Sequence, residues 1–180
     1  MRIIAGSRKG HKIDAPPGRR TRPTSDRVRE NVFNLVAPWI EGATVLDLFA
    51  GSGAMGLEAL SRGAASAVFV EDDREACRTI DRNLDKLRLT GARVVQQDAL
   101  RALAAEAAAR RRYDLVLVDP PYEMFSSLQN RLSQYLPAVL SDDGLVVVET
   151  DARHEPELPP LAKRTSRRYG SARITLFHHP

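Results

Sequence analysis

The sequence has few of the residues that build covalent or metal cross-links. It contains one cysteine, Cys77, and four histidines scattered at positions 11, 154, 178 and 179. A single cysteine excludes an internal disulfide, and the histidines form no recognisable set of metal ligands. No apolar stretch approaches the length of a membrane span or a signal segment. We therefore expect a cytoplasmic protein without a resident metal ion.

The order of apolar stretches predicts the fold class. The chain has 180 residues, 43% of them hydrophobic, which is enough to bury the core of one domain. Strands are predicted over 44–48, 67–71, 92–97, 114–119 and 144–149, helices near 54–62, 73–89, 99–111 and 126–139, and a final hairpin over 161–168 and 172–178. A further helix, capped by Thr24 or Ser25, ends before Pro38. This alternation is typical of an α/β fold with a parallel sheet covered on both faces.

The most informative motif is Asp119-Pro120-Pro121-Tyr122, which follows the apolar run 115–118. Neither proline can donate to a strand ladder, so the strand ends at Asp119. The stiff turn presents a carboxylate, the Pro120 carbonyl and an aromatic ring together. These groups suit the exocyclic amine of a nucleobase, which donates to Asp119 and Pro120 while Tyr122 stacks on the ring. We predict catalytic roles for all four residues; a plain strand-ending turn is the alternative.

A glycine-rich turn follows the first predicted strand, in Asp47-Leu48-Phe49-Ala50-Gly51-Ser52-Gly53. With Gly56 and the later Glu71, this stretch also satisfies the dinucleotide-binding fingerprint. Asp47 argues against a dinucleotide, because its carboxylate would repel a pyrophosphate at the helix N-terminus. S-adenosylmethionine has no phosphate and carries an ammonium and a cationic sulfur, which a nearby acid attracts. The turn favours S-adenosylmethionine and leaves a nicotinamide cofactor as the alternative.

Acidic residues follow four of the predicted strands: Asp47, Glu71, Asp98 and Asp119. Because the carboxyl ends of parallel strands share one edge of a sheet, these residues predict a cleft there. Glu71 suits the ribose hydroxyls of the cofactor, and Asp98 suits its adenine amino group. The complete set predicted to contact the cofactor is Asp47, Phe49, Gly51, Ser52, Gly53, Glu71, Asp72, Asp98, Ala99 and Asp119.

Basic residues are concentrated in the first 30 positions, although the net charge is only +4. The glycines and prolines between them indicate an arm or short hairpin over 1–24, lying on RNA phosphates and followed by one globular unit over 25–180. RNA contact is predicted for Arg8, Lys9, Arg19, Arg20, Arg22, Thr24 and Arg29. A solvated terminus is the alternative for the arm, and Arg29 could pair with Asp26 or Glu30 on its own helix.

Several motifs resemble known proteins. Residues 47–53 resemble motif I of class I S-adenosylmethionine-dependent methyltransferases, and 119–122 resemble the amino-methylating signature of that superfamily. The blocks at 2–6, 21–24, 29–30, 46–53 and 58–63 together resemble the RsmD family, which methylates N2 of a guanine in 16S ribosomal RNA. The resemblance implies a Rossmann-like, seven-stranded, mostly parallel sheet with one antiparallel strand near an edge. It also implies S-adenosylmethionine as methyl donor and 16S rRNA, within the small ribosomal subunit, as partner. A monomer is the default expectation for the oligomeric state, which the sequence leaves open.

Three other functions would use part of the same evidence. An N6-adenine methyltransferase acting on DNA or RNA has the same signature, because adenine also offers an exocyclic amine. A nicotinamide-binding module would use the glycines and Glu71 but leaves residues 119–122 unexplained. A non-catalytic RNA-binding assembly factor would use the basic segment alone. The RsmD-like blocks near the N-terminus favour guanine, by analogy.

Overall fold

The computed structural model describes residues 1–18 and 25–180, and its strands form one seven-stranded sheet. The strands are β1 (Thr44–Leu48), β2 (Ser66–Glu71), β3 (Ala92–Gln96), β4 (Tyr113–Val118), β5 (Leu140–Asp151), β6 (Ala162–Tyr169) and β7 (Ala172–His178). They lie in the order β3-β2-β1-β4-β5-β7-β6. Neighbours from β3 to β5 pair in parallel, whereas β7 pairs antiparallel with both β5 and β6. The mostly parallel sheet with one reversed strand near an edge is confirmed.

Helices cover both faces of this sheet. They are α1 (Asp26–Leu35), α2 (Ala54–Ser61), α3 (Arg74–Leu87), α4 (Ala99–Ala108) and α5 (Phe125–Val139), with short 3₁₀ turns at Ala37–Trp39 and Tyr122–Met124. Side chains alternate along each strand, so β1 sends Val45 to the layer of α1, α2 and α3, and Leu46 to the layer of α4 and α5. In the described ranges, none of the helices is both long and apolar enough to cross a membrane.

Some element boundaries differ from those predicted. Strand β5 begins at Leu140 instead of the predicted 144, because Leu140 pairs with Tyr113 of β4 before an irregularity in the β4–β5 ladder. Two helices end earlier than predicted, where Arg88 and Arg110 adopt left-handed backbone conformations with φ of 51° and 55°. Ser25 caps α1, with its hydroxyl accepting from the Val28 N–H at 3.2 Å. These boundaries depend on cross-strand pairing and local turns that periodicity does not encode.

The described part of the basic N-terminal segment is packed on the domain. Arg2 and Lys12 form an antiparallel bridge, and Ile3 and Ile13 are buried in the same apolar layer as α1 and α2. The carboxylate of Glu58 in α2 accepts from the Ile4 and Ala5 N–H groups at 2.8 and 3.0 Å. The segment therefore anchors through its backbone and two isoleucines, while most of its basic side chains stay exposed.

Candidate active site

The carboxyl ends of four parallel strands meet at one edge of the sheet. Leu48 of β1 pairs with Val70 of β2 and with Val118 of β4, and Glu71 of β2 pairs with Gln96 of β3. Glu71 and Asp119 therefore stand at the same level, on either side of the residue after β1. Asp47 lies at the end of β1 and Asp98 two residues beyond β3. The fold brings all four predicted acids to this edge.

The turn between β1 and α2, residues 49–53, leaves room for a ligand. Phe49, Gly51 and Gly53 have φ of 61°, 57° and 80°. A left-handed phenylalanine costs on the order of 1–3 kcal/mol, and such strained residues cluster at ligand sites. No heavy atom lies within 4 Å of the point where a side chain on Gly51 would begin. The backbone of this turn thus forms an open cradle that a Cβ would fill.

Two buried carboxylates hold the turn from behind. Asp47 accepts from the Gly56 N–H at 2.9 Å, and Glu71 accepts from the N–H groups of Gly51 and Asp73 at 2.8 and 2.9 Å. Burial raises the pKa of Asp47 to about 7; the Gly56 hydrogen bond lowers it and the Glu71 charge adds to the rise. Two backbone N–H groups at this turn that could receive a pyrophosphate, those of Gly51 and Gly56, already donate to protein carboxylates. The donor set therefore fits a cationic ligand without phosphates, such as S-adenosylmethionine, better than a dinucleotide.

The remaining predicted cofactor residues lie along the rim of the cradle. Asp98 is exposed and caps α4, with its carboxylate accepting from the Arg101 N–H at 2.9 Å; Ala99 follows it and is buried. Asp72 is exposed just beyond β2. The carbonyl of Ser52 accepts from the side-chain amide of Asn83 at 3.2 Å. Asn83 is fully buried and also bonds Asp14, so it ties the N-terminal segment to the glycine turn, a role that no sequence pattern indicated.

The Asp119-Pro120-Pro121-Tyr122 motif leaves the end of β4 and leads into a 3₁₀ turn that starts at Tyr122. Pro120 is buried and Pro121 is exposed. The Tyr122 hydroxyl donates to Oε1 of Glu149 at 2.9 Å. Glu149 is 8% exposed and lies in β5, one residue after Val148, which pairs with Val118. It therefore stands level with Asp119 on the neighbouring strand. The sequence did not single it out, because it lies inside β5, although it stands level with the acids at the ends of the neighbouring parallel strands.

An open cleft of about 610 Å³ lies beside Tyr122 and Glu149. Its other walls are the first turns of α1 and the turn between β6 and β7. The lining residues are Ser25, Arg27, Val28, Asn31, Tyr122, Glu149, Arg168, Tyr169, Gly170, Ser171 and Ala172. Arg27 and Arg168 are exposed and give the mouth of the cleft positive charge. Neither arginine was in the set predicted to contact RNA, and the sequence did not indicate that the two lie together, because they belong to segments about 140 residues apart.

The predicted RNA contacts are placed in different ways. Arg19, Arg20, Arg22 and Thr24 lie outside the described residues. Lys9 is exposed, whereas the Arg8 guanidinium donates to the Leu87 and Arg88 carbonyls at the end of α3. Arg29 has no exposed surface. It pairs with Asp26 at 3.0 Å and with Glu58 at 3.7 Å, and also donates to the Arg2 carbonyl. The structure gives Arg29 an internal, cross-linking role, since a fully buried guanidinium cannot touch RNA.

The only cysteine and the acidic groups suggest neither a thiol nucleophile nor a metal centre. Cys77 is buried and its thiol donates to the Glu71 carbonyl at 3.3 Å. Burial, with the charges of Glu71 and nearby aspartates, raises the pKa of Cys77 to about 11, which keeps the thiol protonated and unreactive. Across residues 1–18 and 25–180, no group of three or more potential ligands is arranged to hold a metal ion.

Strand order, glycine turn and acid-lined edge together define a Rossmann-like methyltransferase fold. A solved Escherichia coli structure, the candidate methyltransferase yhhF, shares it with a TM-score of 0.85 and 38% identity over 99% of this chain and 97% of its own. A more distant structure, the candidate methyltransferase SMU.776 in complex with S-adenosylhomocysteine, has a TM-score of 0.69 at 17% identity. It covers 84% of this chain and 48% of its own, and shows a likeness of fold alone.

Sequence comparison narrows the class to one family. The family model described as "Conserved hypothetical protein 95" matches residues 1–178. Ribosomal RNA small subunit methyltransferase D of Escherichia coli K12 is 41% identical over 156 residues, which are 86% of this chain and 76% of that protein. A candidate rRNA methyltransferase of Bacillus subtilis 168, YlbH, is 40% identical over 98% of both chains. The protein belongs to this family, the RsmD family.

Proposed function

We propose that this protein transfers a methyl group from S-adenosylmethionine to N2 of a guanine in 16S rRNA of the small ribosomal subunit. One observation carries the proposal: the glycine turn and the Asp119–Tyr122 motif leave the ends of two neighbouring strands, paired at Leu48 and Val118. A donor held by the first and an amine held by the second would therefore lie side by side. The name of the Escherichia coli K12 relative, which specifies small-subunit rRNA, supports the choice of substrate.

The donor side consists of the glycine turn and its acids. The residues 51–53 would approach the donor through their backbone, while Glu71 would accept from the ribose hydroxyls and Asp98 from the adenine amine. Asp47 lies behind the turn, where its carboxylate attracts positive charge. When bound, S-adenosylmethionine would supply a methyl group on a cationic sulfur, and the amine nitrogen would take this methyl group while the sulfur leaves as a neutral thioether. Phe49, Asp72 and Ala99 would complete the walls.

The acceptor side consists of Asp119, Pro120 and Tyr122. The guanine amine is a poor nucleophile because its lone pair is delocalised into the ring. Hydrogen bonds from this amine to the Asp119 carboxylate and the Pro120 carbonyl would favour the pyramidal geometry that frees the pair. Tyr122 would stack on the base, which must first leave its own stack to reach the site. Asp119 would also accept the proton that the amine loses after transfer. Positioning of this kind contributes up to about 7–11 kcal/mol in model reactions.

Basic residues would hold the RNA around this site. We propose phosphate contacts for Lys9, Arg27 and Arg168, which are exposed, and for the predicted Arg19, Arg20, Arg22 and Thr24. Arg8 would contribute to the local positive potential while holding the end of α3. The expected partner is an assembled or assembling small subunit, acted on by a monomer in the cytoplasm.

The decisive experiment offers labelled S-adenosylmethionine with small ribosomal subunits, naked 16S rRNA or DNA, followed by identification of the labelled base. We expect N2-methylguanine in 16S rRNA. Replacing Asp119 with alanine should lower the transfer rate by about 10²–10³-fold and leave donor affinity nearly unchanged. The exposed Asp142→Ala variant is the matched control and should keep wild-type activity. Label on adenine or only in DNA would overturn the substrate, and absence of both label and donor binding would overturn the enzyme.

A further inference from the structure

We propose that the cleft beside Tyr122 receives the target guanine and that Glu149 determines specificity by accepting the N1–H of that base. The inference rests on the proposed function and extends it to the choice between guanine and adenine. Nothing in the motif Asp119–Tyr122 makes that choice, because its acceptors suit any exocyclic amine. A second acceptor, next to the amine and on the same edge of the base, is what guanine recognition requires.

The position of Glu149 meets this requirement. It follows the last pair of the β4–β5 ladder, Val118 with Val148, so it stands level with Asp119 on the adjacent strand. Neighbouring strands are about 4.8 Å apart. Carboxylates on two such strands, with flexible side chains, can therefore both reach the two adjacent N–H donors on one edge of a base. Its Oε1 accepts from the Tyr122 hydroxyl at 2.9 Å, which ties it to the predicted stacking platform. The same two residues line the cleft.

The chemistry of the two purines differs where Glu149 would meet them. On its Watson–Crick edge guanine presents N1–H next to its N2 amine, both of them donors. Adenine presents the N1 lone pair next to its N6 amine. A carboxylate accepts but does not donate when ionised, and it offers about four acceptor sites, more than the Tyr122 hydroxyl uses. Facing adenine, the same carboxylate would oppose the N1 lone pair. The complex would then contain buried acceptors without donors, which makes the binding free energy less favourable.

The cleft also has the size and surroundings for a nucleotide. Its volume of about 610 Å³ falls in the range of small-molecule sites. Tyr122 lines it, and the exposed Arg27 and Arg168 stand where the phosphates of a flipped nucleotide would pass. Glu149 is nine-tenths buried, so a hydrogen bond from a base to its carboxylate would form largely away from water.

The test combines one change in the enzyme with one change in the substrate and measures all four combinations. After the methylated guanine is located, RNA carrying 2-aminopurine at that position is prepared; this base keeps the 2-amine but has a lone pair in place of N1–H. Single-turnover transfer is measured for wild type and for Glu149→Gln at saturating donor. The glutamine keeps an acceptor for Tyr122 and gains an N–H that can donate to 2-aminopurine. The loss of O6 affects both enzymes equally and cancels in the ratio.

We expect wild type to prefer guanine strongly and Glu149→Gln to narrow that preference by about 10–100-fold, the effect of one hydrogen bond to a charged group. Donor affinity should not change. The control Glu157→Gln neutralises an exposed acid that pairs with Lys163 and should keep the wild-type preference. An equal preference in wild type and Glu149→Gln would overturn the assignment of Glu149, while guanine methylation by wild type would still uphold the proposed function. Failure of wild type to methylate guanine would overturn both.

Discussion

The donor turn, residues 47–56, and the cleft beside Tyr122 are built in opposite ways. The donor turn comes from one contiguous stretch, and its backbone N–H groups donate to Asp47 and Glu71. The cleft is assembled from the start of α1, Tyr122, Glu149 and the β6–β7 turn, which are far apart in the chain. The first is shaped by hydrogen bonds of a local stretch to two nearby acids, whereas the second exists only because the whole fold brings its walls together. A small, constant donor suits the first arrangement, and a large RNA suits the second.

The largest expected effect comes from replacing Glu58, which connects the two regions. Glu58 of α2 follows the donor turn and pairs with Arg29 of α1, the helix that walls the cleft. It also accepts from Ile4, Ala5 and Arg62. Glu58→Ala leaves the buried guanidinium without this partner, so we expect the free energy of unfolding to fall by about 3–5 kcal/mol. Denaturant unfolding measures it.

A matched acid shows whether burial causes that loss. Glu75 forms an exposed pair with Arg78 one turn along α3. Glu75→Ala should change stability by less than about 1 kcal/mol, because exposed ion pairs contribute little. If the Glu58→Ala and Glu75→Ala variants were equally stable, the buried Arg29–Glu58 pair would not stabilise the contact between α1 and α2.

Substitutions at two glycines distinguish the open space of the donor turn from its packing on the core. An alanine at Gly56 would bring its Cβ within 2.3 Å of the buried Phe69 ring, whereas one at Gly51 meets nothing within 4 Å. Gly56→Ala should therefore cost about 1–3 kcal/mol of stability through overpacking. In Gly51→Ala the alanine must adopt the left-handed φ of Gly51, which costs about 1–2 kcal/mol of stability. Its methyl group also enters the open cradle. We expect it to be the variant with the greater loss of donor affinity.

Thermal unfolding and titration calorimetry with S-adenosylmethionine distinguish these outcomes. If Gly51→Ala bound the donor as wild type does, the cradle would not be the donor site. If Gly56→Ala reduced donor affinity more than Gly51→Ala, the turn would depend on its packing rather than on its open space.

The same contrast explains what the sequence could predict. Asp47, Gly51 and Glu71 were recognisable because strand, turn and helix follow one another locally, and parallel pairing then aligned the acids. Glu149 was hidden because its importance depends on the register between β4 and β5. Arg29 was expected to contact RNA or to pair on its own helix. Asp26 proved to be one partner, but Glu58, 29 residues away, could not be foreseen without the packing of α1 on α2.

A pH titration examines the charge behind the donor turn. Burial raises the pKa of Asp47 from its usual 3.8 to about 7, so much of this acid is neutral in the free protein below pH 7. A cationic donor favours the ionised form, and its affinity should rise with pH by up to tenfold per unit before levelling above about pH 7. By the same linkage, the raised pKa makes the free protein lose stability as pH rises from about 4 to 7.

Asp47→Asn should flatten both dependences, because asparagine does not titrate. Calorimetry in two buffers of different ionisation enthalpy would detect the proton that wild type releases on binding the donor at pH 6. Binding without proton release, or a slope unchanged by the substitution, would show that the donor does not sense the Asp47 charge.

The smallest expected effect concerns the mouth of the cleft. Arg168 is exposed on β6 beside Tyr169 and lines the cleft. If it contacts one phosphate, Arg168→Ala should weaken RNA binding a few-fold and lower the salt slope by about 0.7, with donor affinity unchanged. Arg101 is the matched control, because it is also exposed but lies on α4, across the sheet from the cleft wall formed by α1. Equal losses for the two variants would mean that RNA senses only net charge, and the cleft would no longer be distinguished from the rest of the surface.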